Sequence, residues 1–407
     1  MILPPRKARI AVVSPFIDKK HGTERRVAEW IAQLSAAYEI HIYSQEVRDV
    51  DLTSVVWHRI WKLPGPHIVN FLWWFIANRA LRIWHGRMRG LRHDLVFSPG
   101  VNCFDADVIS VHIVFAEYLN SVGNRISFSG NPVRAWPHLL HRRLYYALAI
   151  ALERHAYGGH AIPLILIARR TSVALNRFYG VFNNLPVVYG GMEHEVFNPE
   201  RRKLLRESAR NQLALLPTSF ALVIVSNDGR NKGVPVLVQA LSALRDLPIN
   251  LLVVTREDPS PYLALINEAC LEGRVHFLPP RDDIEFYYAA ADAYVGPSLE
   301  DTFAQPPAEA MACGMPVIVS ANNGTCEIIT DGKDGLILTD PTDAVTLAAM
   351  IRRLCEDNEF SARLGKSANE TAQQYTWERN GRELKAIFQQ LLDRKAQNVI
   401  HAVTQEP

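Results

Sequence analysis

Twice in this chain a continuous apolar strand is followed by a polar turn and an amphipathic helix, and that recurrence limits the possible architectures more than any other feature. The first run starts at "ARIAVVSPF" (8–16), passes through a helical stretch from Thr23 to Leu34 and reaches a second strand, "EIHIYS" (39–44). The second starts at "FALVIVS" (220–226) and continues through "VPVLVQALSAL", "INLLVVT", a helix near 261–271, "RVHFL", a helix near 282–290 and "ADAYVG". Strands that are apolar at every position are buried on both faces, as in a parallel sheet covered by helices. Regular alternation with helices is the pattern of βαβ units. Each half is therefore expected to be an open α/β sheet of Rossmann-like type. In such sheets ligands bind beyond the carboxyl ends of the strands, so a cleft between two facing domains is the expected site.

The segment "YGGMEHEVFNPERR" (189–202) carries two glycines and a proline and reads as the hinge. It separates an N-terminal domain of 1–195 from a C-terminal domain of 200–375, a division that suits 407 residues of 48% hydrophobic composition. The halves differ in charge. Residues 1–199 hold 23 Lys and Arg against 14 Asp and Glu, a surplus of nine, whereas residues 200–407 hold 21 against 28, a deficit of seven. Seven of the eight Trp (Trp30, Trp57, Trp61, Trp73, Trp74, Trp84, Trp136) lie in the first 136 residues. Two domains with different partners are expected. No run of about 18 apolar residues occurs and the first twenty residues lack the order of a secretory signal, so a cytoplasmic location is expected. The five cysteines (Cys103, Cys270, Cys313, Cys326, Cys355) have no C-x-x-C spacing, which points to core residues and not to disulfides or a zinc site.

Three stretches carry chemistry. "SNDGRNKGV" (226–234) follows the first strand of the second domain and places Arg230, Lys232 and Gly233 at a helix N-terminus, where two cations form an anion clamp. "HGTERRVAEWIAQL" places Gly22 and Thr23 at the first βα turn of the first domain, where a backbone without a side chain admits a ligand closely. "PSLEDTFAQPPAEAMACG" (297–314) lies between two strands and holds Glu300, Asp301 and Glu309. Asp301 and Glu309 are about two helical turns apart and can face one cleft if a helix spans both.

In this order, and together with "VVYGGMEHEVFNP", "AADAYVGPS" and "EIITDGKDGLIL", these motifs resemble those of the retaining family 4 glycosyltransferases, the glycosyl transferases group 1 with the two-domain GT-B fold. The resemblance runs through nearly the whole chain. It implies a nucleoside diphosphate sugar as donor, a UDP- or GDP-sugar, with no separate cofactor and no metal. It implies that Glu309 binds the ribose hydroxyls and Asp301 the hydroxyls of the donor sugar. A carboxylate suits both, because it accepts two directional hydrogen bonds from a diol. Pro297, Ser298 and Phe303 set this register. Asp301 then stands where the family usually has Glu, and Glu300 lies one place early. Thr302, Phe303, Ala304 and Gln305 are expected to begin a helix and offer N–H groups to the diphosphate, beside Arg230 and Lys232. His112, ending "ADVISVHIVF", matches a histidine that the family places against the donor sugar. Glu193 aligns with the family's hinge Asp, and Asn323, Gly324 and Glu327 are expected to line the pocket. "YTWERNGRELKAIFQQLL" (375–392) resembles the terminal helix, about 378–396, that returns to the first domain. Same-face attack by the acceptor, without a protein nucleophile, is the implied route to retention.

Two other functions share these features. One is a nucleotide-sugar-binding partner subunit of weak activity, suggested by Asp301 and by Ala304 where the family often has glycine. The other is a nucleotide-sugar epimerase of the same fold. For the acceptor, residues 52–93 contain no Asp or Glu, seven Lys and Arg (Arg59, Lys62, Arg79, Arg82, Arg87, Arg89, Arg92) and five Trp. Residues 118–152 repeat the pattern with Arg125, Arg134, Arg142 and Arg143. Cations among aromatic rings suit an anionic membrane surface. A peripheral position on the inner face of the cell membrane is expected, with a lipid-linked saccharide, lipopolysaccharide or exopolysaccharide acceptor. The alternative is a core helix over Phe71–Ile76 with solvated arginines around it. Nucleic acid would be drawn to the same charge, and the family resemblance argues against it.

Overall fold

The structure, a computed structural model, describes residues 6–19, 22–122, 136–159, 162–180 and 184–404; Arg125 and Arg134 lie outside them. The chain divides into two compact units, one running to Tyr189 and resuming at Trp377, the other spanning Gly190–Thr376. In the first unit the main strands are β1 (Arg9–Val13), β2 (Glu39–Ser44), β3 (Val55–Arg59), β4 (Leu95–Pro99), β5 (Val108–Val111) and β6 (Leu164–Leu166). They form one parallel sheet in the order β3-β2-β1-β4-β5-β6. The second unit repeats this with β7 (Phe220–Val225), β8 (Ile249–Val254), β9 (Val275–Leu278), β10 (Ala293–Gly296), β11 (Val317–Ser320) and β12 (Leu336–Leu338), in the order β9-β8-β7-β10-β11-β12. Both orders are doubly wound, with the reversal, and hence the natural ligand crevice, at β1/β4 and at β7/β10. Each central strand is buried along its length, Ile10 to Val13 and Ala221 to Ile224 being at most 1% exposed, as continuous apolar runs require.

The helices of the first unit include α1 (Gly22–Leu34), α2 (His67–Arg89), α3 (Phe115–Val122), α4 (Trp136–Gly158) and α5 (Arg170–Tyr179). Those of the second include α6 (Pro199–Gln212), α7 (Gly229–Lys232), α8 (Val234–Ser242), α9 (Ser260–Glu268), α10 (Glu285–Ala290) and α11 (Gln305–Ala312). The helix from Trp377 to Thr404 packs back on α1, where a Cβ on Gly381 would meet the side chain of Gln33 at 2.6 Å. With Trp377 included, all eight Trp belong to the first unit.

Helix α2 has an inverted pattern. The residues it buries are Asn70, Trp74, Asn78, Arg82 and His85, spaced at one helical turn, so its inward stripe is mostly polar. Arg82 is held by Asp105 through two bonds of 2.9 and 2.8 Å, and Asn78 Nδ2 donates to the carbonyl of Trp74 at 3.0 Å. The outward side carries Val69, Leu72, Trp73, Ile76, Ile83, Trp84 and Met88, all substantially exposed, with Ile76 at 65% and Met88 at 69%. Neither expectation for this helix describes it fully, because Trp74 is core while its neighbours Trp73 and Ile76 face water. Among the described residues no helix is long and apolar enough to cross a membrane.

Where α2 leaves the sheet, four imidazoles cluster. His41 Nδ1 lies 2.9 Å from His58 Nε2, His41 Nε2 lies 3.0 Å from Glu39 Oε1, and the Tyr43 hydroxyl lies 3.1 Å from His85 Nδ1. His93 packs edge-on against both His41 and Tyr43. Burial, followed by the neighbouring imidazoles and arginines, pushes His58 down to about 3 and His93 to about 4. The buried His112 is pushed down to about 3, again first by burial and then by Arg26. A folded pKa below the unfolded value means that the unfolded chain takes up protons first as pH falls. The stability contributed by these imidazoles is therefore complete above about pH 6.5 and declines as pH falls toward 4, outweighing buried Glu153, whose pKa is raised to about 7 and which acts in the opposite direction. His112 alone contributes up to about 1.4 kcal/mol per pH unit. Urea unfolding followed by Trp fluorescence, which reports this unit, should show a midpoint falling between pH 7.5 and pH 5; a constant midpoint would count against neutral, buried imidazoles.

Candidate active site

At the end of β7 the chain turns through the single helical turn α7 and enters α8. Asp228 accepts from the Asn231 amide at 3.1 Å and opens the turn. Gly233 closes it at φ +89°, a left-handed conformation that favours glycine. Lys232 thus ends a short turn and Gly233 is the N-cap of α8, so of the three residues expected at a helix N-terminus Gly233 caps α8 while Arg230 and Lys232 lie in the turn before it. A Cβ on Gly233 would lie 2.4 Å from the carbonyl oxygen of Pro297, so the Lys232–Gly233 backbone rests directly on the chain leaving β10. That close approach sits at the topological reversal of the sheet and brings Lys232 to residues 297–304.

Lys232 Nζ forms an ion pair with the carboxylate of Asp301, both side chains being 16% exposed. Of the adjacent acids, Asp301 presents its carboxylate to Lys232, whereas Glu300 uses its backbone carbonyl to accept from Asn231 Nδ2 at 2.7 Å. Asp301 is extended, bridged to Asn323, with its N–H donating to the Asn322 carbonyl at 3.0 Å.

That bridge delays the following helix. Helix α11 (one-letter QPPAEAMA) runs Gln305–Ala312 with Ala304 as its N-cap, so Thr302 and Phe303 lie in the preceding turn instead of beginning the helix. No helix spans Asp301 and Glu309, and their placement follows from the bridge and α11 separately. The first helical turn would ordinarily offer four free N–H groups. Pro306 and Pro307 have none, leaving those of Ala304 and Gln305, and the Ala304 amide already lies 3.4 Å from Asn323 Oδ1.

Glu309, 3% exposed, accepts a hydrogen bond from the Tyr288 hydroxyl at 2.8 Å on Oε2. Burial, followed by Glu309 itself, holds the Tyr288 phenol well above its ordinary range, so it remains a donor. Tyr288 belongs to α10, and its "FYYAAADAY" setting reads only as core. Sequence reasoning missed it for that reason. It also missed Ser226 and Asn231. Among the described residues, Ser226 Oγ, Asn231 Oδ1, Gln305 Oε1 and Asn323 Nδ2 are buried atoms without a hydrogen-bond partner. Gln305 Nε2 donates to the Gly191 carbonyl at 3.0 Å, and Thr325 Oγ1 donates to the Ala304 carbonyl at 2.7 Å.

The remaining residues are placed differently. Arg230 is exposed on α7, and Glu193 is half-buried near the start of the second unit. In the first unit Gly22 begins α1, where an added Cβ would meet nothing within 4 Å, and Thr23 is half-buried behind it. His112 is 7% exposed, with Nε2 2.9 Å from Ser110 Oγ and its ring edge-on to Trp30. With its pKa near 3 it is a neutral hydrogen-bonding group at neutral pH. Among the described residues no three His, Cys, Asp or Glu side chains are grouped to hold a metal ion.

Residues 206–371, which contain every second-unit residue of this site except Gly191 and Glu193, match the family model for glycosyl transferases group 1. That match makes the second unit similar to the glycosyl transferases group 1. A curated relative, D-inositol 3-phosphate glycosyltransferase of Corynebacterium aurimucosum, is 28% identical over 247 residues, covering 58% of this chain and 58% of the relative. The chain thus spans little more than half the length of the curated relatives it matches. The fold recurs in the crystal structure of WaaG, a glycosyltransferase involved in lipopolysaccharide biosynthesis, with TM-score 0.74 and 18% identity over 93% of this chain and 99% of that one. It recurs also in Anabaena HepE in complex with UDP-glucose, with TM-score 0.69 and 17% identity over 94% and 99%. The second unit therefore sits in a chain of GT-B fold, two Rossmann-like parallel-sheet domains.

Proposed function

We propose that the protein is a retaining, metal-independent hexosyltransferase that moves a sugar from a UDP- or GDP-sugar, bound by the group 1 unit, to a membrane-associated glycan acceptor. The observation that carries this reading is the pairing of Lys232 with Asp301 at the reversal of the second sheet, directly before α11 and Glu309. The Lys232–Asp301 pair places an ammonium group where a diphosphate would bind, and Arg230 adds a second, solvent-facing cation. Glu309, held by Tyr288, suits a ribose diol, and Asp301 suits hydroxyls of the transferred sugar. As the glycosidic bond breaks, negative charge grows on the leaving diphosphate, and Lys232 with the Gln305 amide supplies fixed positive potential there.

Donor binding and turnover separate this reading from its rivals. With purified protein and a panel of UDP- and GDP-sugars, Glu309→Gln should weaken binding of the bare nucleoside diphosphate about 10-fold, the loss of a charge-assisted contact. Asp301→Asn should spare that binding and lower transfer. An acceptor glycoside as product supports a transferase, an epimerised free sugar supports an epimerase, and binding without turnover supports a partner subunit. Equal nucleotide binding by wild type and Glu309→Gln would remove Glu309 from the ribose role.

The acceptor side rests on α2 and α4. The outward apolar residues of α2 are joined by Trp61, at 74% exposure, and by Trp136, Leu140 and Leu144 on α4. Arg59 stacks over Trp57 and Trp61, and Arg89 over Trp84. Arg87, Arg89 and Arg92 are exposed, whereas Arg82 is committed to Asp105. Between α3 and α4 a cavity of about 420 Å³ joins Leu119, Ala147, Ile150 and Ala151 to Arg143 and Arg154, apolar walls with cations at the rim. This combination favours a lipid-linked saccharide or a lipopolysaccharide or exopolysaccharide precursor, with the protein peripheral on the inner face of the membrane. Each surface cation contributes about 1 kcal/mol on an anionic bilayer, so Arg87→Ser, Arg89→Ser and Arg92→Ser together should lower vesicle partitioning about 100-fold. Sedimentation with anionic liposomes at low salt measures it; protein left entirely in the supernatant would favour a soluble acceptor.

A further inference from the structure

Asn323 follows β11 and caps a short 3₁₀ turn, Gly324–Ile328. Its side-chain oxygen accepts from the Thr325 amide at 3.0 Å and lies 3.4 Å from the Ala304 amide. With two N–H groups facing one terminal atom, that atom is the carbonyl oxygen and the other is the NH₂ group. The residue is 1% exposed, and its Nδ2 has no partner in the protein. A buried amide NH₂ carries only donor capacity, so its natural complement is an acceptor atom brought in by a ligand. Its position defines which ligand. Asn323 is bridged through its backbone to Asp301, the partner of Lys232, and its side chain sits at the N-cap of α11. The first turn of α11 is short of donors because Pro306 and Pro307 carry no N–H.

We propose that Asn323 Nδ2 is a ligand-contacting hydrogen-bond donor to a phosphate oxyanion of the bound nucleoside diphosphate, compensating for the amides that Pro306 and Pro307 lack. The assignment rests on the nucleotide-sugar reading above and adds a side chain to it. Asn323 also couples the contact to the fold, since the same amide that faces the ligand fixes the Ala304 and Thr325 backbone through its oxygen.

Calorimetric titration of the full chain with UDP and GDP, with the matching monophosphates and with the UDP- or GDP-sugar tests this. Asn323→Asp keeps the capping oxygen and replaces the donor by an anionic oxygen. Its affinity for the preferred diphosphate should fall at least about 10-fold while monophosphate affinity changes less than about twofold. Asn323→Ser keeps a capping hydroxyl without the amide and should lose about three- to tenfold on the diphosphate. Thermal midpoints of both variants, read beside the titrations, identify any loss that comes from misfolding; a variant that misfolds is set aside and the other decides. Diphosphate binding equal to wild type in a folded variant overturns the proposal. Unchanged diphosphate binding with weakened nucleotide-sugar binding moves the amide to the sugar and likewise overturns it. Wild-type protein that binds neither diphosphate overturns the nucleotide-sugar reading itself.

Discussion

Lys232→Ala is expected to lower kcat/KM for nucleotide-sugar turnover by about one to two decades, because it removes a charge-assisted contact worth about 1.5–3 kcal/mol in the transition state. The same change leaves Asp301, 16% exposed, without its cation, which by itself costs stability. The double variant Lys232→Ala with Asp301→Asn separates the two effects. Neutralising the carboxylate should restore the thermal midpoint without restoring turnover. If the double variant regained wild-type turnover, Lys232 would act only by satisfying Asp301, and the diphosphate clamp would be excluded.

The second large effect is on folding. Gly233→Ala would place a methyl group 2.4 Å from the Pro297 carbonyl oxygen and 2.7 Å from its ring, at φ +89°. The obstacle is backbone, so rotation of a side chain cannot relieve it. Left-handed strain of about 1–2 kcal/mol and overpacking of about 1–3 kcal/mol together predict a thermal midpoint lower by about 5–15 °C for a unit of this size. Gly22→Ala is the informative contrast. A Cβ there meets nothing within 4 Å, so stability should stay within about 0.5 kcal/mol of wild type, and any fall in donor binding would report close approach of a ligand. Circular dichroism melts of both variants measure the difference; equal midpoints would contradict the packing of Gly233 on Pro297.

Tyr288 and His112 show two ways in which a side chain's chemistry is hidden from a linear reading. Tyr288 hydrogen bonds to an acid 21 positions away, and nothing in an apolar aromatic run marks one hydroxyl as the holder of Glu309. His112 is visible as a strand-end histidine, but its neutrality comes from enclosure by Trp30 and Ser110 and from the nearby Arg26, which different elements bring together. The inverted face of α2 is similar. Its exposed Trp and Ile could be counted in the sequence, but which side faced the sheet was settled by Asp105 taking Arg82 and by Trp74 filling the core.

The sequence by itself determined the fold class, because the central strands of both sheets are short apolar runs and strands alternate with amphipathic helices, and those are local properties of the chain. "EIHIYS" became β2 over Glu39–Ser44, and "FALVIV" became β7 over Phe220–Val225, since residues buried on both faces leave few other solutions. It also located the chemical segments, which lie where strands end and turns begin. Only the tertiary structure decided which of their groups meet. Lys232 and Asp301 are 69 positions apart, and they touch because the strand order places β10 beside β7 and because a glycine without a Cβ lets one backbone rest on the other. The pairing of Asp301, and not Glu300, with Lys232, the late start of α11 and the unpartnered amide of Asn323 all accompany one extended bridge between Asp301 and Asn323. Pairing beyond the ends of neighbouring strands depends on register between distant segments, and the local pattern of either segment alone does not contain it.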